Sequence, residues 1–120
     1  MNPSFIYKVE LLRVVDGDTV DVMVDLGFRS FTKRRIRLHG IDAPETRTRD
    51  LKEKQNGLRC KTRLEEILKR EGDLTLNSLG VDKYGRSLGV LFQKDGRSCA
   101  NVNDLLVREG LAKRYYGGKR

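Results

Sequence analysis

Two acidic clusters follow apolar runs of the chain and could take part in metal chemistry. The first is Asp16-Gly17-Asp18-Thr19, and the second is the segment Arg37–Thr46, which contains Asp42 and Glu45. Hard divalent cations such as Ca²⁺ prefer oxygen ligands from carboxylates, backbone carbonyls and water. Because each cluster lies at the end of a predicted strand, we expect Asp18 and Asp42 to bind one such ion.

Each cluster also has a purely structural explanation. Asp and Gly dominate turns, so Asp16–Thr19 taken alone is typical of an ordinary turn. Pro44 cannot donate a hydrogen bond to a sheet, so Asp42–Glu45 taken alone is typical of a strand end. The acidic residues therefore need a second line of evidence before chemistry is preferred.

Basic residues supply that evidence. The segment Asp82-Lys83-Tyr84-Gly85-Arg86 would project an arginine and an aromatic side chain from one turn, although alone it could be a solvated hairpin. The planar guanidinium of an arginine can donate two parallel hydrogen bonds to a phosphate, which the ammonium of a lysine cannot do. Phosphodiester cleavage needs charge stabilisation and water activation together. The combination of Arg37 and Arg86 with a carboxylate cluster therefore favours this reaction.

His39 is the only histidine of the chain and suggests an acid–base role. The alternation of the predicted third strand places its side chain mid-strand, on the same face as Arg37. We therefore favour a structural or solvent-facing histidine.

Hydropathy patterns predict five strands and two helices. The strands are expected at residues 5–15, 19–26, 33–41, 73–79 and 87–93, where apolar residues alternate or β-branched residues cluster. An amphipathic helix is expected over 56–70, with Cys60, Leu64, Ile67 and Leu68 on one face, and Gly72 after it. A second helix begins near Asn101 or Asn103 and ends at Gly110.

This order of elements predicts an α+β fold, mainly β, with a five-stranded Greek-key barrel of the OB type and two helices. A mixed α+β sandwich of another topology fits the pattern almost as well. The length of 120 residues suits one domain, with a core over about 7–116 and a basic C-terminal tail at 117–120.

The composition favours a polyanionic partner. The chain has 25 Lys and Arg against 17 Asp and Glu, which gives a formal net charge of +8. Such a charge raises the local concentration of nucleic acid, although a generic basic domain would share it. We expect a monomer.

The cysteine content and the N-terminus bear on the compartment. Cys60 and Cys99 are too few for a disulfide framework and lack a C-x-x-C spacing, so we expect reduced thiols. The sequence shows neither a signal peptide nor an apolar run of membrane-spanning length. We therefore expect a soluble cytoplasmic protein that does not contact membranes.

Four segments together resemble the signature segments of the staphylococcal nuclease (thermonuclease) family. They are Val15–Val20, Arg37–Thr46, Asp82–Arg86 and Val107–Lys113, and they occur in the family's order at similar spacing. The resemblance runs from about residue 7 to about residue 116. It implies a Ca²⁺-dependent endo- or exonuclease that hydrolyses phosphodiester bonds of DNA, RNA or both.

The resemblance also implies roles for individual residues. By position, Asp18 and Asp42 would bind Ca²⁺ with the backbone carbonyl of Ala43, and Glu45 would activate or orient water. Arg37 and Arg86 would stabilise the transition state at phosphorus. The residues expected to contact the rest of the substrate are Lys83, Tyr84, Tyr115 and Tyr116, with stacking plausible for either of the last two.

One departure from the family pattern concerns the metal site. Ala43 stands where the family's type protein has a threonine, so a neighbouring hydroxyl is lost, but a backbone carbonyl ligand is not.

Two non-enzymatic readings remain open. The chain could be a catalytically inert, nuclease-like module that binds nucleic acid or protein, but anionic residues facing phosphate would then oppose binding. A single-strand-binding OB domain would present several aromatic side chains on one face, yet the chain has four Tyr, four Phe and no Trp.

Overall fold

The computed structural model describes residues 5–69, 72–95 and 98–115. Ten elements follow one another along these residues. They are β1 (Phe5–Asp16), β2 (Thr19–Gly27), β3 (Ser30–Leu38), β4 (Ile41–Asp42), α1 (Leu51–Leu68), β5 (Asp73–Val81), β6 (Ser87–Asp95), β7 (Ser98–Asn101), α2 (Val102–Arg108) and β8 (Lys113–Arg114). The basic tail at 117–120 lies outside the described residues.

Five of the strands close into a barrel. β1, β2 and β3 form an antiparallel meander, β5 pairs with β1, and β6 pairs with β5. Parallel pairing of β3 with β6 closes the ring, while β7 extends the sheet beside β6. The predicted α+β fold, mainly β, with an OB-type five-stranded barrel and two helices is therefore confirmed.

The barrel interior follows the period-two pattern of the strands. Alternate residues of β2 and β3 point inward, and their side chains are almost completely buried, as are those on one face of α1. The core residues of these three elements are Val20, Val22, Val24, Ile36, Leu38, Cys60, Leu64, Ile67 and Leu68. The apolar stripe predicted for the helix therefore covers the barrel.

The predicted bounds of two elements were wrong by three or more residues. The third strand ends at Leu38 rather than Ile41, because Gly40 adopts φ of +83° and the chain turns before β4. The first helix begins at Leu51, five residues before the predicted start, because the Asp50 side chain accepts hydrogen bonds from the Lys52 and Glu53 amides. Such N-capping lets a helix begin in a polar segment that carries no apolar stripe.

Hydrogen bonds of the Asn103 side chain link α2 to the barrel. Its side chain is buried, its Oδ1 accepts from the Leu91 amide at 3.1 Å, and its Nδ2 donates to the carbonyls of His39 at 2.8 Å and Gly89 at 3.1 Å. One amide therefore joins α2 to β6 and to the turn that follows β3. His39 lies in that turn and not in the middle of a strand, as the alternation had suggested.

The β2–β3 hairpin turns on two residues with left-handed backbone. Phe28 has φ of 54° and Arg29 has φ of 61°, between the paired residues Gly27 and Ser30. This is the geometry of a type I′ turn, which favours Asn and Gly. Each non-glycine residue in this region costs about 1–2 kcal/mol.

Two predictions about the rest of the chain can be compared with the structure. Cys60 is buried, Cys99 is exposed, and both are free thiols, as expected. Within residues 5–69, 72–95 and 98–115, none of the helices combines the length and apolar character needed to cross a bilayer.

Candidate active site

The turn between β1 and β2 meets the ends of β3 and β4. The Asp18 carbonyl accepts from the Leu38 amide at 2.8 Å, and Asp18 Oδ2 accepts from the Ala43 amide at 2.9 Å. Asp18 Oδ1 also accepts from the Thr19 hydroxyl at 3.0 Å. These bonds bring the two acidic segments of the sequence side by side, as their positions at strand ends predicted.

Arg37 lies between the two candidate metal ligands. Its Nη2 is 3.5 Å from Asp18 Oδ2 and 3.6 Å from Asp42 Oδ1, and its Nη1 donates to the Leu38 carbonyl at 2.8 Å. Only 13% of the Arg37 side chain is exposed. We call Asp18, Asp42 and Arg37 the carboxylate cluster. Both aspartates approach the same nitrogen atom, so their charges converge on one point of the surface.

The donor atoms of the carboxylate cluster fit a hard cation. Asp18 and Asp42 offer carboxylate oxygens, and the loop that follows offers backbone carbonyls, which is the ligand class that Ca²⁺ prefers. Among the described residues, no group of three or more His, Cys, Asp or Glu converges on one point. The remaining positions around a Ca²⁺ ion would therefore be filled by carbonyls and water.

The backbone of α1 touches the loop that carries Glu45. A Cβ atom on Gly57 would lie 2.7 Å from the carbonyl oxygens of both Pro44 and Glu45, which is too close for any side chain. Gly57 is buried, whereas Glu45 is exposed. The sequence reading missed Gly57, although a glycine inside an amphipathic helix lowers stability and usually has a packing reason.

A second close approach fixes the β1–β2 turn. A Cβ atom on Gly17 would lie 2.7 Å from the Cys60 sulfur and 2.9 Å from the Ala43 Cβ. Burial raises the pKa of the Cys60 thiol to about 12, and the nearby carboxylates of Asp18 and Asp16 add to this effect. Cys60 is therefore a neutral packing group, and α1 supports both halves of the carboxylate cluster.

The turn between β5 and β6 is organised by Asp82. Its carboxylate accepts from the amides of Tyr84 at 2.9 Å and Arg86 at 2.8 Å, and from Arg86 Nε at 2.7 Å. Burial acts to raise the pKa of Asp82, but hydrogen bonds from the Arg86 backbone and side chain and from the Tyr84 amide hold it below its usual value. The Arg86 guanidinium and Lys83 Nζ lie 5.5 Å and 5.2 Å from the Tyr84 ring centre.

Arg86 therefore has different neighbours from those expected. Its charged group is paired with Asp82 instead of joining the carboxylate cluster, and 55% of its side chain is exposed. The turn nevertheless lies at the same end of the barrel, because Leu88 of β6 is the strand partner of Arg37.

A groove of about 830 Å³ begins beside the cluster. Its walls are the Asp42–Glu45 loop, the first turns of α1 and residues 110–115. Tyr115 lies in this wall, and its amide donates to the Gly40 carbonyl at 2.9 Å. Tyr116, the other predicted substrate-contacting tyrosine, lies outside the described residues.

Comparison with known proteins identifies the family of the chain. The profile of the family described as "Staphylococcal nuclease homologue" matches residues 35–120. The chain belongs to the staphylococcal nuclease family. Among the similar proteins, a "Micrococcal nuclease" of Shigella flexneri is 36% identical over 118 residues, which cover 92% of this chain and 61% of the relative.

Two further relatives have different names. An "Uncharacterized endonuclease" of Escherichia coli O157:H7 is 38% identical over 102 residues, covering 85% of this chain and 57% of that protein. A "Succinoglycan biosynthesis protein ExoI" of Rhizobium meliloti (strain 1021) is 30% identical over 103 residues, covering 82% and 48%. This member of the staphylococcal nuclease family thus spans about 48–61% of the length of these relatives.

Within the family fold, the predicted site residues fall into three groups. Asp18, Asp42, Ala43 and Arg37 are brought together, with Glu45 on the adjoining loop. Lys83, Tyr84 and Arg86 form a separate exposed turn at the same barrel end. Tyr115 lines the groove together with the Asp42–Glu45 loop.

Proposed function

We propose that this protein is a Ca²⁺-dependent nuclease, which hydrolyses phosphodiester bonds of DNA, RNA or both by metal-assisted attack of water. The observation that carries the proposal is the meeting of Asp18 and Asp42 at one arginine nitrogen, 3.5 Å and 3.6 Å away. A module that only held a polyanion would gain nothing from two adjacent carboxylates at its binding surface, because like charges repel. A cation between them and the phosphate removes that conflict.

The metal ion would contribute to the reaction as a Lewis acid. Bound Ca²⁺ would polarise the phosphoryl oxygen and neutralise the charge that develops during attack by water. Asp18 and Asp42 hold the cation in this proposal. The hydrogen bond from the Ala43 amide fixes the orientation of Asp18, and the Arg37 guanidinium binds a phosphate oxygen from its largely buried position.

Glu45 has the role of accepting a proton from water or orienting it. Its carboxylate is exposed on a loop whose backbone contacts Gly57, so the loop is supported while the side chain faces solvent. Pro44 further restricts the backbone between Asp42 and Glu45. General-base assistance of this kind contributes about 10²- to 10⁴-fold in rate.

Arg86 has to leave Asp82 to act on the transition state. The ion pair is exposed on the arginine side, so little desolvation opposes its exchange for a substrate phosphate. Lys83 and Tyr84, which contact each other on the same turn, would bind an adjoining phosphate or base in this proposal.

A cleavage assay tests the proposal. Purified protein is incubated with labelled single-stranded DNA, duplex DNA and RNA, each in Ca²⁺, in Mg²⁺ and in excess chelator. We expect cleavage in Ca²⁺ and none in chelator. Undiminished cleavage in chelator would overturn the metal-dependent mechanism.

The inert module is the second candidate, because Arg86 lies on Asp82 and not in the carboxylate cluster. That reading predicts binding of nucleic acid or protein without cleavage above a metal-free control, in any of the tested cations.

A further inference from the structure

The tip of the β2–β3 hairpin presents aromatic side chains to solvent. Phe28 is fully exposed at 103% of its reference area, and Phe31 is 61% exposed. Two of the four phenylalanines of the chain thus lie within four residues of each other on one surface. Burial in the barrel core cannot explain either of them.

The turn itself does not explain Phe28. Its backbone has φ of 54°, in a two-residue loop where Asn or Gly would be less strained. Strained residues persist where the surroundings or the function require them, and here Phe28 makes no packing contribution that could offset the strain. Packing within the folded chain therefore does not account for Phe28, and its ring is accessible to a molecule outside the chain.

The tip is continuous with the candidate active site along β3. Alternate residues of a strand point to the same face, which places Phe31, Lys33 and Arg37 in one row. Their inward neighbour Ile36 is buried, so the row lies on the outside of the barrel. Successive residues of the row are about 6.6–6.8 Å apart, so the row from Phe31 to Arg37 extends about 20 Å from the tip toward the candidate active site.

Two cations of this surface are available for phosphate. Arg35 lies in the same row but is held by Asp21 at 2.8 Å, which neutralises its charge. None of the ion pairs found among the described residues involves Arg29 or Lys33. Both side chains are exposed.

We propose that Phe28, Arg29, Phe31 and Lys33 form a binding track for single-stranded nucleic acid, with a base stacked on Phe28 and phosphates held by Arg29 and Lys33. The track extends the substrate site along β3, and to that extent it rests on the proposed function. An aromatic face stacks on an unpaired base, whereas the bases of a duplex are already stacked on each other. The positive charge of the tip also disfavours tip-to-tip pairing of two copies.

The Phe28→Asn variant tests the track without damaging the fold. Asparagine suits a left-handed turn residue, so this exchange removes the aromatic ring and should raise the melting temperature. Binding is measured by fluorescence anisotropy in chelator, so that cleavage does not interfere. The ligands are an oligothymidylate of about 15 nucleotides and, by competition, one of about 4.

We expect Phe28→Asn to weaken binding of the long oligomer by about 5- to 150-fold and to leave the short oligomer unaffected. Binding of duplex DNA should be unchanged. Lys33→Gln should weaken binding of the long oligomer. It should also reduce the magnitude of the slope of log affinity against log salt concentration by about 0.7. Phe5→Asn and Lys94→Gln are the controls, because both residues are exposed on other strands, and neither should change these affinities.

Three results would overturn the track. In the first, Phe28→Asn binds the long oligomer with wild-type affinity. In the second, it loses equal affinity for the long and the short oligomer. In the third, the wild type is a dimer and Phe28→Asn is a monomer. The cleavage assay is independent of these measurements. A wild type that does not cleave, but whose binding still depends on Phe28, contradicts the proposed function and supports the track.

Discussion

Glu45 is the residue whose exchange separates catalysis from binding. Its carboxylate is exposed beside the carboxylate cluster and is proposed to act on water during the reaction. Glu45→Gln should therefore lower turnover by about 10²- to 10⁴-fold. Affinity for nucleic acid should stay the same or rise slightly, since one negative charge is removed.

The matched control is Glu53→Gln, which removes an acidic side chain from the same groove. Turnover by single-turnover kinetics and affinity in chelator are compared for both variants. The assignment of Glu45 fails if the two variants cleave at the same rate.

Asp21 and Arg35 form an ion pair whose contribution depends on pH. The hydrogen bond from Arg35 holds the pKa of the buried Asp21 carboxyl below its usual value, although burial opposes this. A carboxyl whose pKa is lower in the folded state stabilises the fold above its unfolded pKa, near 3.8, and this stabilisation is lost as the pH falls through the folded value. Asp21→Asn should thus melt lower than wild type at neutral pH.

The melting-temperature difference between the two proteins should shrink as the pH is lowered from about 5 toward 3. Thermal melts by circular dichroism across this range measure it. A difference that stays constant with pH would show that the charge of Asp21 does not contribute to the stability of the fold.

At the residue scale, the sequence predicted which chemical groups converge but not their hydrogen-bonded partners. Asp18 and Asp42 were expected together because turn and strand-end patterns placed both at strand ends. The pairing of Arg86 with Asp82 depends on the turn conformation, in which Gly85 has φ of +78°. No spacing rule reports whether an exposed arginine pairs with a carboxylate of its own turn.

Among the elements, α1 supports the Asp42–Glu45 loop through Gly57. Helix propensity alone predicts that Gly57→Ala stabilises the protein by about 1 kcal/mol. The close approach of Gly57 to the Pro44 and Glu45 carbonyls predicts the opposite, since the new methyl group must displace the loop. We expect no gain in stability and a turnover lowered by about 10- to 100-fold, because small misplacements of catalytic groups are costly.

Gln55→Ala serves as the control, because Gln55 is exposed on the same helix. Melting temperatures and separate kcat and KM values are measured for both variants, and the loss should fall on kcat. A Gly57→Ala protein that is more stable than wild type and has wild-type kcat would contradict the role of Gly57 in supporting the Asp42–Glu45 loop.

The elements that the sequence predicted are those with long patterns. The barrel strands and both helices were found, because alternation and helical stripes extend over many residues. β4 and β8 have two residues each and are defined by pairing with each other, which no local pattern encodes. The four-residue strand β7 was missed for the same reason, since it is identified by its pairing with β6.

At the scale of the whole molecule, the net charge and the carboxylates of the carboxylate cluster act on a polyanion in opposite directions. A net charge of +8 attracts a polyanion, while the carboxylate cluster places two negative charges where the phosphate would approach. In the proposed mechanism a bound cation would reconcile these features, because it would replace repulsion of the substrate phosphate by attraction. The family membership supports a nuclease-type domain, and the chain spans 61% of the length of its Shigella flexneri relative.

The calcium dependence of the cleavage rate, compared between wild type and Asp42→Asn, tests the carboxylate cluster most directly. Asp73→Asn is the control, because Asp73 is exposed at the start of β5. The wild-type and control rates should rise from zero in chelator to saturation. Asp42→Asn should need a much higher Ca²⁺ concentration for its half-maximal rate, since one charged ligand is lost. Identical calcium curves for all three proteins, or cleavage that ignores Ca²⁺, would contradict a metal site at Asp18 and Asp42.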